Sequence, residues 1–507
     1  MSTLPKLCLN MIVKNESHII QDKLDKLLKK IKFDYYVICD TGSTDNTKQI
    51  IKSLFDIHNL DGEIFDHEWS DFGTNRTKAL QSAYGKSEYI FIFDADDEIQ
   101  GEIIIPNDMC YDKYNLKIGK SFTYYRPLLL NNKKKWHFVG VLHEYLSTHE
   151  KNITETLLDG NYYIDSCRDG NRNKDNDKYI NDAKILEEAY KNTKDTNAQL
   201  ANRYAFYCAQ SYKDAGDKYR DLAITWYSKI LGLSSWIQEK YYSCLMLGEL
   251  YRDDFKKLEY YMKSVEYDAE RMEGMVFACK LASKNGIHYL VNMLYHTYKN
   301  IKQPEGEKLF VFSNLYNDHL AFYASISNYY LRNQQLAYEI SKTIIKNNIL
   351  DNHMLDQVYR NLLFYKSYIE NESSLELFQQ TNQLLRNKHL RNEDIDTTLN
   401  ELWNYLFSLN RTHFTKPCKY SFANNNNNPK LVITFTTCKR LDLFQQTVRS
   451  FVHHLEDVNS IDYWFCVDDN SSIVDREKMK TEFHWIDYYM KDTNEKGHRQ
   501  SMNIIYD

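Results

Sequence analysis

The chain has 507 residues and a formal net charge of −6, with acidic and basic residues mixed along its length. This length allows two to four domains, each large enough to bury a core of its own. The charge excludes the broad basic surface that nucleic acid or an anionic membrane requires, and no segment has the roughly 20 consecutive apolar residues of a membrane span.

Residues 5 to 150 alternate short apolar stretches with amphipathic helical ones. The predicted strands are KLCLNMIVK, DYYVICD, GEIFDHE and EYIFIFD, and the predicted helices between them are HIIQDKLDKLLKKI, TKQIIKSLF and RTKALQSAY. This alternation predicts βαβ units on a largely parallel α/β sheet. Ligands of such sheets bind at the carboxyl ends of the strands, so the polar residues at those ends are the candidate site.

The second strand ends in the polar segment DTGSTDNT, residues 40–47. Asp40 stands at the carboxyl end of the strand, Gly42 permits a turn with unusual dihedral angles, and Ser43 or Thr44 can cap the helix that follows. An ordinary strand-to-helix turn would have the same features. A carboxylate and free backbone donors at this edge can also hold a nucleoside, and the segment alone does not decide between the two.

The fourth strand continues directly into an acidic cluster that contains Asp94, Asp96, Asp97 and Glu98. Carboxylates this close repel one another unless a positive charge lies among them. Asp94 and Asp96 are spaced so that a turn can present both to one hard cation, and nucleotide phosphates would complete the shell of Mg²⁺ or Mn²⁺. The alternative is a solvated acidic turn, although such turns rarely follow five apolar residues.

Four motifs in this order resemble the nucleotide-sugar glycosyltransferases of GT-A fold, and within them the large inverting family two. The motifs are MIVKNE (11–16), DTGSTDNT (40–47), NRTKAL (75–80) and DADD (94–97). The resemblance implies a Rossmann-like GT-A domain over residues 1–175. It also implies a nucleotide-diphospho-sugar donor, with a UDP-sugar favoured over a GDP-sugar, and Mn²⁺ or Mg²⁺ as the cofactor.

The same resemblance implies roles for individual residues. Asp94 would lie near the ribose or the metal, and Asp96 would bind the metal that bridges the diphosphate. Arg76 matches the position whose guanidinium meets the nucleotide, a suitable task for a planar and permanently charged donor. The residues implied in donor binding are Ile12, Val13, Glu16, Asp40, Thr41, Arg76 and Asp94.

The segment KKKWHFVGVLHEYL (133–146) resembles the part of repeat-bearing relatives where an aromatic-rich strand ends in a His-Glu pair. The resemblance makes His143 a third metal ligand, through a neutral imidazole nitrogen, with a packed or surface histidine as the alternative. Glu144 is the candidate general base, and it joins Asp96 as a predicted catalytic residue. Nearby residues with unsettled roles are the rival bases Asp165 and Asp169 and the arginines Arg168 and Arg172, which either contact phosphate or face water.

From 176 to 412 the periodicity is helical. A small residue precedes an aromatic residue or Leu by three positions in several places, namely Ala209 and Tyr212, Gly248 and Tyr251, Ala278 and Leu281, and Ser327 and Tyr330. In a helical hairpin repeat the small residue admits the neighbouring helix. We therefore predict a tetratricopeptide-like α-helical solenoid domain, with a plain helical bundle as the alternative. This region would shape acceptor binding or support a homo-oligomer.

The Asn-rich tract at 413–430 is a polar low-complexity segment and is predicted to be a linker. After it, residues 431–507 restart the strand and helix rhythm with KLVITFTTCKR, CVDDNSS and KGHRQSMN. These stretches resemble the beginning of a second GT-A-like domain. No strand followed by a DxD motif appears before Asp507, so we expect a partial domain, either cut or vestigial, that does not catalyse.

The function that the resemblance implies is metal-dependent transfer of a sugar to a protein or glycan acceptor, with inversion at the anomeric carbon. The alternative is a non-catalytic scaffold that binds a nucleotide-sugar and recruits partners through its helical repeats. A nucleotidyltransferase is disfavoured because no Gly-rich loop precedes the first helix. The scattered cysteines and the lack of a signal peptide favour the cytoplasm. The abundance of Asn, Lys, Ile and Tyr in the composition indicates an AT-rich genome, such as that of a giant virus.

Overall fold

The computed structural model describes residues 6–304, 306, 308–391, 393, 397–410, 431–455, 461, 463–483, 486–492, 494–495 and 497–506. The chain divides into two compact units, residues 1–323 and residues 324–507. The predicted linker at 413–430 lies outside the described residues. Within the described ranges, no helix combines the length and the apolar character needed to cross a membrane.

The first part of the chain alternates strands and helices where the sequence predicts them. Its elements are β1 (Leu7–Val13), α1 (Ile20–Lys30), β2 (Tyr35–Asp40), α2 (Thr47–Ile57), β3 (Gly62–Asp66), α3 (Phe72–Ala83) and β4 (Tyr89–Ile92). The four strands are parallel, in the order β3-β2-β1-β4. All four residues of β4 are buried, which is typical of a strand that is covered on both faces.

Further strands follow, and apart from the aromatic-rich stretch at β8 the sequence analysis did not predict them. They are β5 (Asp97–Ile103), β6 (Lys113–Ile118), β7 (Phe122–Asn131), β8 (Trp136–Val139), β9 (Tyr145–Thr148), β10 (Glu155–Leu157), β11 (Gly160–Ser166) and β12 (Val311–Phe312). Strands β8 and β9 form a separate two-stranded sheet, and the other six join the main sheet. The pairs β4–β7, β6–β7 and β5–β11 are antiparallel. The sheet is therefore mixed rather than largely parallel, because β6 and β7 are joined by a short turn at Gly119 and not by a crossover helix.

Helices dominate the chain after the sheet, as the sequence predicts. They are α4 (Lys178–Thr193), α5 (Ala198–Asp214), α6 (Arg220–Gly232), α7 (Ile237–Leu250), α8 (Asp254–Lys263), α9 (Glu273–Lys284), α10 (His288–Tyr298) and α11 (His319–Tyr330). Each helix from α4 to α10 packs against the next one. Gly248 admits a neighbour as predicted, because a Cβ there would lie 2.3 Å from the ring of Tyr261 in α8. The regular repeat of a solenoid remains a prediction.

A short segment returns from the helices to the sheet and is held by a buried charge. Arg271 is fully buried and forms an ion pair of 2.7 Å with Glu273. Its guanidinium also donates hydrogen bonds to the carbonyls of Leu309 (2.7 Å) and Phe310 (3.1 Å). The segment then pairs β12 with the first residues of β7. This network fixes the part of the chain that closes one end of the large cavity described below.

The second unit contains helices followed by a small parallel sheet. Its elements after α11 are α12 (Gln334–Asn347), α13 (Asn352–Asn361), α14 (Asn371–Leu390), α15 (Thr397–Leu409), β13 (Val432–Thr437), α16 (Leu441–His454), β14 (Tyr463–Asp468), α17 (Ile473–Glu482), β15 (Asp487–Met490) and α18 (His498–Tyr506). The strand order is β13-β14-β15, with both pairs parallel. The strand and helix rhythm is present, while a relation of this segment to the GT-A fold remains a prediction.

Candidate active site

Asp40 is the last residue of β2 and is only 1% exposed. Its Oδ1 accepts hydrogen bonds from the backbone amides of Gly42 (2.9 Å) and Ser43 (2.8 Å). Gly42 has a φ of 100°, which a residue with a side chain adopts only with strain. The other oxygen, Oδ2, is buried and has no hydrogen-bond partner in the described part of the chain. A buried acceptor without a donor costs about 1–3 kcal/mol, so a ligand that donates to this oxygen gains that free energy.

The ends of β1 and β2 form one continuous edge. The backbone amide and the hydroxyl of Thr41 both donate to the carbonyl of Val13, at 2.9 Å and 3.1 Å. Val13 is paired with Asp40, and Ile12 is paired with Cys39. The structure therefore brings together four of the residues that the sequence assigned to donor binding, at the carboxyl ends of neighbouring parallel strands.

Asp94 lies between two arginines. Arg76 on α3 donates from Nη2 to Oδ1 of Asp94 at 2.6 Å, and Arg126 on β7 donates from Nη1 to Oδ2 at 3.2 Å. Glu144 Oε1 lies 2.7 Å from Nε of Arg76. Burial alone would raise the pKa of Asp94, but the two guanidinium groups outweigh burial and lower it to about 2. Three residues that the sequence singled out thus meet in one charge network.

Arg126 is a member of this network that the sequence analysis missed. It stands in FTYYRPLLLN, the sequence of β7, among aromatic and aliphatic residues. An arginine in such a strand either forms an ion pair with a carboxylate or is exposed to water, because a buried charge is stable only when it is paired. That pattern was the available signal, although it does not identify Asp94 as the partner.

Asp96 and Glu16 both accept hydrogen bonds from the loop that follows β11. The side-chain amide of Asn173 donates to Oδ2 of Asp96 at 3.2 Å, and the backbone amide of Asn171 donates to Oε2 of Glu16 at 3.1 Å. Gly170 is needed here, because a Cβ at this position would lie 2.9 Å from Oδ2 of Asp96. The loop therefore brings backbone and amide donors against both carboxylates.

The acidic groups in this region raise one another's pKa. Burial raises the pKa of Glu16 to about 7, and the charge of Asp96 adds to the rise. The pKa of Asp96 is raised by burial and by Asp94. Burial and Asp94 also raise the pKa of Asp97 to about 8, and the Ser166 hydroxyl donates to this carboxyl group at 2.9 Å. Burial is the largest cause of each of these shifts, and neighbouring carboxylates add to it.

A divalent cation fits part of this arrangement. Asp96 and Glu16 are crowded carboxylates that a positive charge would stabilise, and Mg²⁺ commonly uses only one or two protein carboxylates when phosphates supply other oxygens. Both oxygens of Asp94 are already paired with arginines. Within the described ranges, no group of three or more His, Cys, Asp and Glu side chains could hold a metal ion. The site therefore fits a metal on Asp96, completed by the ligand's oxygens.

His143 lines the cavity beside aromatic and basic side chains. Its ring stacks on Tyr207 of α5, with centroids 4.0 Å apart and planes 6° apart. Desolvation, followed by the positive charges of Arg203 and Arg172, lowers the pKa of His143. A neutral imidazole is the form that binds a metal, so this shift does not exclude a ligand role. The role of His143 as a third metal ligand remains a prediction.

A cavity of about 710 Å³ lies between the sheet and the first helices. Arg76, Asp94 and Glu144 line it, so the charge network faces open space. Of the residues with unsettled roles, Asp165, Arg168 and Arg172 also line the cavity, whereas Asp169 forms an ion pair with Lys23 at 3.2 Å. Among the described site residues, the lining does not include Asp40, Glu16 or Asp96.

Comparison with known families identifies the domain that carries this site. Residues 8–105 match the model of the family described as Glycosyl transferase family 2. The matched segment runs from β1 into β5 and contains Asp40, Arg76, Asp94 and Asp96, while Glu144 lies beyond it. This part of the chain is therefore similar to a glycosyl transferase family 2 domain. No curated protein sequence matches the chain.

Several solved structures are similar to parts of the chain. One is the mannosyltransferase PcManGT from Pyrobaculum calidifontis in complex with GDP-Man and Mn²⁺, at 24% identity and a TM-score of 0.17, with 19% of this chain and 29% of that chain covered. The chain thus spans less than a third of that protein. TarS 1–349 from S. aureus has 12% identity and a TM-score of 0.24, and the match covers 65% of this chain and 92% of that chain. The same protein in complex with UDP-GlcNAc has 15% identity and a TM-score of 0.25, and the match covers 60% of this chain and 99% of that chain.

Proposed function

We propose that the chain transfers a sugar from a nucleotide-diphospho-sugar to an acceptor hydroxyl. The observation that carries the proposal is the placement of Asp40, with its unpartnered buried oxygen, and of the Asp94 and Arg76 pair at the carboxyl ends of the parallel strands of a glycosyl transferase family 2 domain. This edge is where α/β sheets bind nucleotides.

The proposed site has one group of residues that binds the nucleoside and another that surrounds the bond between sugar and phosphate. Asp40 Oδ2 accepts a hydrogen bond from the base or ribose, and Thr41 and Val13 form the adjoining wall. Arg76 stabilises the negative charge that grows on the diphosphate as the bond between sugar and phosphate breaks. Asp94 and Glu144 hold this guanidinium in position, so it needs little reorganisation during the reaction.

Glu144 is the proposed general base. It takes the proton of the acceptor hydroxyl while the acceptor oxygen bonds to the anomeric carbon, and the nucleoside diphosphate leaves with the electrons of the broken bond. Attack from the face opposite the leaving group inverts the anomeric carbon. Asp96, with Glu16 beside it, would hold Mn²⁺ or Mg²⁺, and the ion would supply further stabilisation of the leaving diphosphate.

The proposal is tested by incubating the full chain with UDP- and GDP-sugars, with and without Mn²⁺, and measuring release of the nucleoside diphosphate. We expect release with one base, with a UDP-sugar favoured, and only when the metal is present. Glu144→Gln should lower the rate of transfer while the affinity for the nucleotide remains. Nucleotide binding without release, in the wild type and across the sugar panel, would contradict the enzyme and support the non-catalytic scaffold. An absence of nucleotide binding would contradict both.

A further inference from the structure

The cavity is more basic than the chain as a whole. Within the described residues, eight lysines and arginines and five aspartates and glutamates line it, although the chain has a net charge of −6. Several of these basic groups are neutralised by ion pairs: Arg76 and Arg126 pair with Asp94, and Arg172 pairs with Asp182. The basic groups without such a partner carry charge that no carboxylate of the described residues compensates.

Arg168, Lys178 and Arg203 line the cavity and have no carboxylate within 4 Å among the described residues. Lys178 donates to the side-chain oxygen of Asn173, and Asn173 in turn donates to Asp96. This connection places Lys178 close to the proposed diphosphate site. Arg203 is different, because it stands on α5, one of the helices that form the other wall of the cavity.

Arg203 is held in one orientation by three contacts. Its Nε donates to the carbonyl of His143 at 2.8 Å. Its guanidinium carbon lies 4.9 Å from the ring centroid of Tyr207 and 5.5 Å from that of Tyr145. These contacts involve Nε and two neighbouring aromatic rings, and no described residue accepts a hydrogen bond from the edge that carries the two Nη groups. That edge is a planar fork that matches a phosphate or a carboxylate with two parallel hydrogen bonds.

The position of Arg203 relative to Glu144 indicates which substrate it meets. Arg203 binds the carbonyl of His143, the residue before Glu144, while the Glu144 carboxylate contacts Arg76. Glu144 is thus linked to Arg76 through its carboxylate and to Arg203 through the preceding peptide group. A general base must lie within hydrogen-bond reach of the acceptor hydroxyl. A guanidinium that contacts the residue before that base is therefore placed to bind the acceptor.

Two aromatic side chains next to this end of the cavity remain open to solvent. Tyr145 is 37% exposed and Trp236 is 45% exposed, and both line the cavity. An exposed aromatic face in a cleft can cover the apolar face of a sugar ring while the sugar hydroxyls stay in water. An acidic peptide would use the arginine but has no flat apolar ring for these faces.

We propose that the helix-side end of the cavity is the acceptor subsite and that it takes a carbohydrate bearing a phosphate or carboxylate group, with the anion on Arg203 and the sugar ring against Tyr145 or Trp236. The proposal rests on the proposed function. In the proposed function the diphosphate of the donor lies at Arg76, so the donor does not supply the anion for Arg203. The acceptor is the remaining substrate.

The test measures binding of small acceptor probes to the full chain saturated with Mn²⁺ and with UDP or GDP, by isothermal titration. The probes are glucose 6-phosphate, glucuronic acid, glucose, inorganic phosphate and a short Asp- and Ser-rich peptide. We expect the two charged sugars to bind about tenfold or more tightly than glucose, as one charge-assisted contact provides. The stronger of the two identifies the anion as phosphate or carboxylate.

Arg203→Gln should remove most of this preference, a change of about tenfold, while the affinity for glucose changes little. Arg203→Lys keeps the positive charge but lacks the planar fork of the guanidinium. This variant should therefore retain only part of the preference for charged sugars over glucose. Arg252→Gln is the matched control, because Arg252 is exposed between α7 and α8 and its nearest carboxylate is that of Asp217 at 3.4 Å. Melting temperatures of all three variants show whether each is folded.

Equal binding of glucose and the charged sugars, or no binding of either charged sugar at millimolar concentration, would overturn the proposal. A preference that survives Arg203→Gln would overturn the role of Arg203. Inorganic phosphate that binds as tightly as glucose 6-phosphate, or a peptide that binds more tightly than both sugars, would overturn the carbohydrate assignment. If neither UDP nor GDP binds with Mn²⁺, the proposed function itself fails; if a nucleotide binds without any anion preference, only the acceptor proposal fails.

Discussion

Replacing Asp40 with Asn should affect ligand binding much more than stability. The Asn oxygen can keep the two hydrogen bonds from Gly42 and Ser43, so the turn after β2 is preserved. The Asn amide group then replaces Oδ2, the buried oxygen that has no donor in the free protein. The free energy of unfolding should change by no more than about 1 kcal/mol, because an unpaired buried amide group replaces an unpaired buried carboxylate oxygen.

Ligand binding should weaken by much more. A hydrogen bond to a charged acceptor contributes about 1.5–3 kcal/mol, which corresponds to about a 10- to 150-fold increase in Kd. The amide also presents hydrogens to the donor group of the ligand, so the new contact is repulsive. Isothermal titration with UDP and with GDP, in the presence of Mn²⁺, measures the effect, and denaturant unfolding of the same samples measures stability.

Asp66→Asn is the matched control for this experiment. Asp66 ends β3 directly beside Asp40 in the sheet, but it is exposed and forms an ion pair of 2.8 Å with Lys48. Removing an exposed ion pair costs at most about 1 kcal/mol of stability and should leave nucleotide affinity unchanged. If Asp40→Asn binds the nucleotide as tightly as the wild type, Asp40 does not contact the nucleoside and the proposed orientation of the donor is wrong.

Three further substitutions test other parts of the account. Asp96→Asn should lower Mn²⁺-dependent donor hydrolysis by about a hundredfold or more and leave the melting temperature intact, whereas wild-type rates in this variant with chelator present would remove the metal from the mechanism. Arg271→Leu should lower the free energy of unfolding by about 3–5 kcal/mol, because Glu273 is left buried without its partner, and urea denaturation measures the loss. Gly248→Ala should cost about 1–3 kcal/mol in the same assay, because the added Cβ overlaps the ring of Tyr261.

Two control substitutions distinguish these effects from general sensitivity. Arg220→Leu removes an arginine whose ion pair with Asp217 lies at the surface, so it should cost far less than Arg271→Leu. Gly232→Ala adds a Cβ where no atom lies within 4 Å, at the end of α6, and should not destabilise the chain. Equal losses in a test variant and its control would contradict the packing and charge interpretations of Arg271 and Gly248.

The parallel half of the sheet could be predicted from the sequence because its information is local. Each strand from β1 to β4 is a short apolar run, each helix between them is amphipathic, and DTGSTDNT and DADD mark the strand ends. Antiparallel strands such as β6 and β7 have no comparable pattern here. Their pairing depends on a turn at Gly119 and on contacts between residues far apart in sequence. The hydrophobic periodicity of the sequence contains no information on such contacts.

The candidate site was predictable to the same extent. Asp40, Arg76 and Asp94 stand in motifs, and Glu144 was found through the His-Glu pair. Arg126 and Arg203 depend on tertiary contacts, because the first comes from an antiparallel strand and the second from a helix beyond the sheet. The metal prediction for His143 rests on a motif and remains a prediction, whereas the stacking of its ring on Tyr207 becomes visible only in three dimensions.

The most direct test of the central claim is a crystal structure of the chain with UDP and Mn²⁺. The account predicts the base or ribose hydrogen-bonded to Asp40, the diphosphate beside Arg76, and the metal on Asp96. A nucleotide bound elsewhere, or one bound at this edge with its diphosphate away from both Arg76 and Asp96, would contradict the account.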